Sequence, residues 1–411
     1  MKTLSWILLI LLSISLGALT VYYLVAPPIR MGLFLTLTIL VIVSLVLLFV
    51  RNFHSWQFIA GGILILIIGF LAGYMAANTY YLSQEEERIL PTVTRATDDK
   101  GLGHLAIVYF THGEPPAYSA MPWIETFREL DADNAPFIPV PFRPFFLKGL
   151  RDYYLKAGGS PHNKIHQVMI DSLEKRFREE HPDTPVRFYL AFLDSNPRPD
   201  EMMTRALNEG ASQVIVMPVF LTESSHTQAG REMVEALNVE QYDIPICYTK
   251  PLWESDALRQ MYVARADHRL GGFDRSKVGV LLVGHGQPAR WDELYPTQTT
   301  QEISFREAVR QRFIQAGYLP ENVSLAWMEF KTPAVPEKAL ELANQGIEKL
   351  LVIPASISAD SIHSDIQVPE EVEEAHLPES LEIIHLGSWG NDLYLIQTLT
   401  EQIAACLKNN P

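Results

Sequence analysis

Cysteine is almost absent from the chain: Cys247 and Cys406 are the only two in 411 residues. Two thiols so widely separated fit neither a disulfide framework nor a cysteine metal knuckle, and either side of a membrane is compatible with them. Acidic residues are missing from residues 1–80, where Lys2, Arg30 and Arg51 are the firm charges. All 48 acidic residues therefore fall in residues 81–411, against 30 of the 33 basic ones, a net charge of about −18. Such an excess of negative charge repels phosphate backbones and argues against nucleic acid as a partner.

The region without acids is filled by apolar residues. Runs of roughly Leu4 to Ala26, Met31 to Val50 and Phe58 to Ala76 each approach the length of about 20 residues that a spanning helix needs. Their connections, PPIR and RNFHSW, are long enough only for hairpin turns. Three transmembrane helices in a multi-pass cell-membrane protein are expected; a cleavable signal peptide is the rival for the first run alone, and two spans remain without it. Positive charge does not orient them, since Lys2 and Arg51 fall on one side and Arg30 with Arg88, Arg95 and Lys100 on the other. The polar stretch SQEEERILPTVTRATDDKG reads as a linker. A chain begun near Thr92 is expected to be soluble and folded, and the full-length chain to stay with the membranes.

The remaining sequence is organised around KVGVLLVGHGQP, Lys277 to Pro288. A short β-branched run that stops at Gly-His-Gly looks like a buried parallel strand delivering His285 to the carboxyl edge of its sheet. HLAIVYFTHGEP, His104 to Pro115, repeats the plan with His112. Each copy is answered by a further strand ending in proline with a histidine eight or nine residues on: Pro218 and His226 in the first half, Pro354 and His363 in the second. Two coincidences in the same order point to a duplicated unit.

Strands are expected at His104–Phe110, Val186–Phe192, Gln213–Met217 and Ile244–Tyr248, then at Val278–Val283, Val323–Phe330, Lys349–Ile353 and Leu381–His385. Helical patterns such as HNKIHQVMIDSLEKRFREE lie between them. Alternating strands and helices imply an α/β fold of two similar Rossmann-like lobes with parallel sheets, preceded by the three spans, with ligands beyond the carboxyl ends of the strands. The expected boundaries are a membrane anchor at 1–82, a linker at 83–103, and lobes at 104–270 and 271–411.

From about Leu105 to Glu374 the sequence resembles the ferrochelatases, within the group of single-chain tetrapyrrole chelatases that includes cobalt chelatases. The resemblance rests on PFIPVPFRPFFLKGLRDYYLKAGGSPHNKIHQ, MPVFLTESSHTQAG, VGHGQP with Tyr295, Pro296 and Gln298, and IPASISADSIHSDIQVPEEVEE, in that order. It implies insertion of a divalent metal, Fe2+ first and Co2+ second, into a porphyrin-like macrocycle held between two lobes. The metal is then a substrate, and no tightly bound cofactor is implied. The substrate class favours a cytoplasmic face for the soluble part. His285 matches the family's metal-delivering or proton-accepting histidine. His363 stands where ferrochelatases usually carry glutamate, closer to the cobalt-chelatase habit, which leaves the metal open because imidazole pairs suit Fe, Co, Ni and Zn alike.

Metallation requires removal of two pyrrole protons and of the metal's water, work that neutral histidine can do as base or ligand. His285 and His363 are the candidate catalytic pair. With Gln367 and Glu371, which follow at four-residue steps, they form the candidate metal path, provided that Pro369 does not break the helix. The alternative is that the glutamates form a solvated acidic face. The substrate-contacting candidates are Tyr109, His112, Phe142, Phe145, Ser160, His226, Tyr295 and Gln298; Phe142 and Phe145 belong to an apolar lip that suits a flat macrocycle and lies near the bilayer. Arg143, Lys148 and Arg151 offer charge for propionates. His54, His104, His162, His166, His181, His268, His376 and His385 are read as structural or surface residues. A cobalt or nickel chelatase, and a non-catalytic haem or metal binder, remain the rival functions.

Overall fold

The computed structural model describes residues 2–409 apart from 53–54, 86–87, 89–90 and 136, so His54 lies outside the described residues. The chain divides into two compact units, residues 1–88 with 117–159 and residues 89–116 with 160–411. These units cut the chain differently from the expected boundaries. Residues 117–159 group with the apolar helices, and both sheets belong to the second unit.

In the first unit the apolar runs form α1 (Lys2–Val25), α2 (Pro28–Asn52) and α3 (Trp56–Leu82), each long and apolar enough to cross a membrane. Small residues let α1 and α3 touch backbone to backbone: a Cβ added at Gly73 would lie 2.0 Å from the Ile14 carbonyl oxygen. The Phe-rich segment is tied to these helices by polar bonds. Tyr74 donates its hydroxyl to the Pro141 carbonyl (2.7 Å), and Asn78 donates to that of Val140 (2.8 Å). Arg151, fully buried, donates to the Tyr23 and Ala26 carbonyls at the end of α1 (2.7 and 3.1 Å), satisfying groups that the helix itself cannot. Arg143 grips Asp131 with both terminal nitrogens (2.8 and 2.5 Å), and Lys148 pairs with Asp152. The three cations considered for propionates are thus engaged within this unit. Phe142 and Phe145 remain more than half exposed.

Among the described residues the second unit carries eight parallel strands: β1 (His104–Thr111), β2 (Val186–Phe192), β3 (Ala211–Pro218), β4 (Ile246–Tyr248), β5 (Val278–Gly284), β6 (Val323–Trp327), β7 (Lys349–Pro354) and β8 (Glu382–His385). Their orders, β2-β1-β3-β4 and β6-β5-β7-β8, are the same in both halves, so the duplication is structural. β1 and β5 are buried at every position, which is why they read as unbroken apolar runs. β6 stops three residues before its expected end because the chain turns away at Phe330, whose φ is +64°.

One core lies between the sheets. Leu105, Ile107 and Tyr109 of β1 join Val280 and Leu282 of β5 and residues of the last helix, Leu393–Asn409, in a single apolar cluster. Ala106, Val108 and Phe110 face the other way into an outer cluster. This parity corrects the expectation for Tyr109. It points into the shared core with no exposed surface, its hydroxyl 2.7 Å from His166 Nδ1, and so cannot contact a substrate. The cysteines are also corrected: Cys247 of β4 and Cys406 of the last helix form a disulfide across 159 positions, a separation over which sequence gives no pairing signal.

Candidate active site

His285 follows β5 directly, and its backbone is fixed from behind. Its N–H points at Glu302 Oε1 (2.8 Å) and Ser356 Oγ (3.0 Å), while Ser356 donates to the same carboxylate oxygen (2.6 Å). Glu302 is buried beside Arg306, which lies 3.9 Å from the Trp327 ring centre and donates to the Leu282 and Ala326 carbonyls. Gly286 then turns with φ +86°, where a Cβ would meet the Glu329 carbonyl oxygen at 2.2 Å, so only glycine fits. His285 Nδ1 sits 2.8 Å from the Gly286 carbonyl. A carbonyl can only accept, so Nδ1 carries a proton, and in the neutral ring the lone pair is on Nε2.

His363 follows β7 on a loop that ends in one π-helical turn, His363–Gln367, followed by the α-helical turns Val368–Glu373. Pro369 explains the widening. It has no N–H to give to the preceding turn, and its ring would press on the carbonyl four residues back; instead Val368 donates to the His363 carbonyl. His363 Nδ1 bonds Gln367 Oε1 (2.6 Å), which again places a proton on Nδ1. Gln367 passes its amide hydrogens to Glu329 and Glu371, both at 3.1 Å. The expected stripe therefore exists as a bonded chain. Burial above all, and then the repulsion of Glu329 and Glu374, raises the Glu371 carboxyl to about 8. Glu373 and Glu374 are exposed and form the solvated face. The His285 and His363 rings stand edge to face with centres 5.9 Å apart.

The first lobe repeats this pattern with different chemistry. His112 follows β1, and its Nδ1 forms an ion pair with Asp194. Asp194 and Glu329 are counterparts: each lies two residues past its strand and donates its N–H to the carbonyl of its lobe's histidine, Asp194 to His112 (2.9 Å) and Glu329 to His285 (3.1 Å). His226 stands with its ring centre 4.6 Å from His112 and 6.5 Å from Trp291 of the other lobe. Burial depresses His226 to about 3, helped by the charge of His112. Burial also opposes the charged form of His112, but the charge and hydrogen bond of Asp194, with Glu114 behind them, raise it to about 9. The first lobe thus offers an imidazolium beside a neutral histidine, and the second a pair of histidines.

Asp194 is held below the usual carboxylate range by His112, although its burial acts the other way. For an acid lowered in the folded state, stabilisation is present above its unfolded value and is lost as pH falls. For His112, raised in the folded state, it is complete below about 6.5 and lost as pH rises through about 9. The difference in unfolding midpoint between wild type and Asp194→Asn should therefore peak near roughly pH 5 to 6 and close towards pH 10. With the His112 ring half exposed, solvent screening keeps it small. A pH-independent difference would give Asp194 a role other than this ion pair.

Sequence reasoning missed several members. Glu114 accepts from the Ser160 hydroxyl and from the Ile362 N–H (3.1 Å), linking the first His-Gly turn to the segment before His363. Ser160, nearly buried, is thus a support for Glu114. His162, lowered to about 4 by burial, and His166, bonded to Tyr109 and to Ser358 (3.2 Å), are buried under the first lobe's turn. The repeat itself held a signal for Asp194 and Glu329, since they occupy equivalent positions after matched strands. Tyr295 lies edge-on to Trp291 and lines a cavity of about 400 Å³ with Glu223, Arg231 and Thr297, a cavity that none of the four cleft histidines lines. Gln298 follows on the helix Pro296–Gln315, its N–H 3.3 Å from the Tyr295 carbonyl. Among the described residues no group of three or more His, Cys, Asp or Glu side chains could hold a metal ion.

The family model described as Ferrochelatase matches residues 140–407. The chain belongs to the ferrochelatase family. Among curated relatives it is 25% identical over 245 residues to the ferrochelatase of Rippkaea orientalis, covering 56% of this chain and 62% of that protein. It is 22% identical over 275 residues to ferrochelatase-2, chloroplastic, of Arabidopsis thaliana, covering 64% and 52%. The chain thus spans between half and two thirds of these two relatives' lengths. Among solved structures, SirB from Bacillus subtilis with Fe3+ aligns with a TM-score of 0.47 and 16% identity over 74% of this chain and 96% of that one.

Proposed function

We propose that this ferrochelatase-family chain inserts a divalent metal, with Fe2+ the leading candidate, into a porphyrin in haem biosynthesis, and that α1–α3 anchor it in a membrane. The observation that carries the reading is the His285–His363 pair. Both rings are fixed through Nδ1 by a carbonyl oxygen, and they meet beyond the carboxyl edge of a parallel sheet, where such folds bind ligands. Two imidazoles so oriented can strip water from an arriving cation and take protons from the pyrrole nitrogens. The bonded chain His363–Gln367–Glu371 supplies a route for the cation or for protons leaving the ring. His112 and His226 supply the facing wall.

The test uses the full-length protein in detergent with porphyrin and, in turn, Fe2+, Co2+, Ni2+ and Zn2+. An enzyme converts many equivalents of porphyrin spectrally; a single stoichiometric shift would favour a haem- or metal-binding role. The imidazole at 363 supports a second reading, a cobalt or nickel chelatase. His363→Glu is expected to retain activity and to raise the Fe2+ to Co2+ rate ratio several-fold, since a carboxylate is a harder donor than imidazole. An unchanged ratio would remove His363 from metal choice.

Anchoring predicts that lysis without detergent leaves the full-length chain in the membrane pellet. Removing residues 1–91 should not yield the soluble protein expected from sequence. It strips residues 117–159 of the α1 and α3 surfaces to which Arg151 and the Pro141 carbonyl are bonded. The truncated chain is expected to aggregate, as light scattering would report, and a monodisperse product would separate residues 117–159 from the helices.

A further inference from the structure

The disulfide bears on which side of the membrane the two sheets occupy. Cys247 and Cys406 are the only cysteines in the chain, and both are consumed by one bond. Their Cα atoms are 5.8 Å apart, within the usual range for a disulfide. Packing that does not depend on the bond puts them there. Ser255 and Thr398 hydroxyls meet at 2.7 Å, and Gln402 donates to the Lys250 carbonyl at 2.8 Å, so the last helix is laid along the β4 edge with Cys406 opposite Cys247. The bond thus fastens the final helix of the second lobe to the edge strand of the first.

Stable disulfides belong to oxidising compartments and are rare where glutathione and thioredoxin keep thiols reduced. We infer that the unit carrying both sheets faces a non-cytoplasmic, oxidising compartment, contrary to the cytoplasmic placement that the substrate class suggests. The inference rests on α1–α3 spanning the membrane and is independent of the reaction proposed. Three spans then put Lys2 and Arg51 on the cytoplasmic side and Arg30 in the outer hairpin. Two of the charges that level the count are part of the folded unit: Arg95 is buried and donates to the Ala211 and Asp99 carbonyls, and Lys100 pairs with Asp243 at 2.8 Å. What remains is Lys2 and Arg51 against Arg30 and Arg88, a count that opposes neither face. The disulfide decides between them.

The experiment uses the full-length chain in the inner membrane of Gram-negative host cells. Cells are quenched with N-ethylmaleimide, and the chain is then denatured, reduced and treated with a polyethylene-glycol maleimide, while intact spheroplasts are exposed to protease. The expected result is two adducts that appear only after reduction, absent from the Cys247→Ser/Cys406→Ser double variant, together with digestion of the sheet-bearing unit in intact spheroplasts. Protection of that unit until lysis overturns the placement whatever the thiol state. Cysteines already blocked by the quench overturn the disulfide on which it is built.

Discussion

Replacing His285 with alanine is expected to lower the rate of metal insertion by about 10²- to 10⁴-fold, the range over which a positioned base acts, while porphyrin affinity changes little. The asymmetry follows from the site. His285 supplies one of the two imidazoles of the pair, and nothing else on its strand end can replace it, since its neighbours are Gly284 and Gly286. Apolar contact with a macrocycle is spread over many atoms and survives the loss of one ring. The backbone should also survive, because Glu302 and Ser356 hold the residue by its main-chain N–H. The measurement is a single-turnover absorbance trace beside a porphyrin fluorescence titration. Wild-type turnover in the variant would remove His285 from the chemistry, and a parallel loss of affinity would make it a binding residue.

The histidine pair was legible in the sequence because its signal is local: a β-branched run, a glycine on each side of His285, and a second apolar run ending in His-Gly-x-Pro 173 positions earlier at His112. Strand positions were legible for the same reason, since β1 and β5 are buried on both faces and carry no polar interruption. What supports the pair was not legible. Glu302 lies on a helix whose sequence gives no reason to expect a buried carboxylate, and it becomes one only because the β5 turn and Ser356 converge on it. Asp194 drew no notice in the sequence and Glu329 fell inside an expected strand; strand pairing places each beside a histidine. Tyr109 illustrates the opposite error, in which proximity to the motif in sequence was taken as access to the cleft. The period of two along a strand sends Tyr109 to the core shared by the sheets, three residues before His112 emerges from the strand end. Residues 117–159 were assigned to a lobe by chain order, whereas Arg151 and the Val140 and Pro141 carbonyls bind them to the apolar helices.

Loss of the Cys247–Cys406 bond is expected to destabilise the sheet-bearing unit by about 2 to 5 kcal/mol, at the upper end of what native disulfides contribute. The loop that it closes spans a sequence separation of 159, and the loop-entropy relation gives about 5 kcal/mol for that length. The bond also joins parts that otherwise meet through side-chain packing and the two hydrogen bonds made by Thr398 and Gln402. For a unit of this size the corresponding fall in thermal midpoint is roughly 3 to 9 °C. Alanine is the informative replacement, since Cys406 is buried and a serine hydroxyl there would add a desolvation cost of its own. Because either cysteine alone is enough to abolish the bond, Cys247→Ala and Cys406→Ala should each show nearly the whole effect, with little more in the double variant. Dithiothreitol should lower the wild-type midpoint by a similar amount and leave the double variant where it is. A wild-type midpoint indifferent to reduction, with additive single substitutions, would show that the two sites matter only through packing.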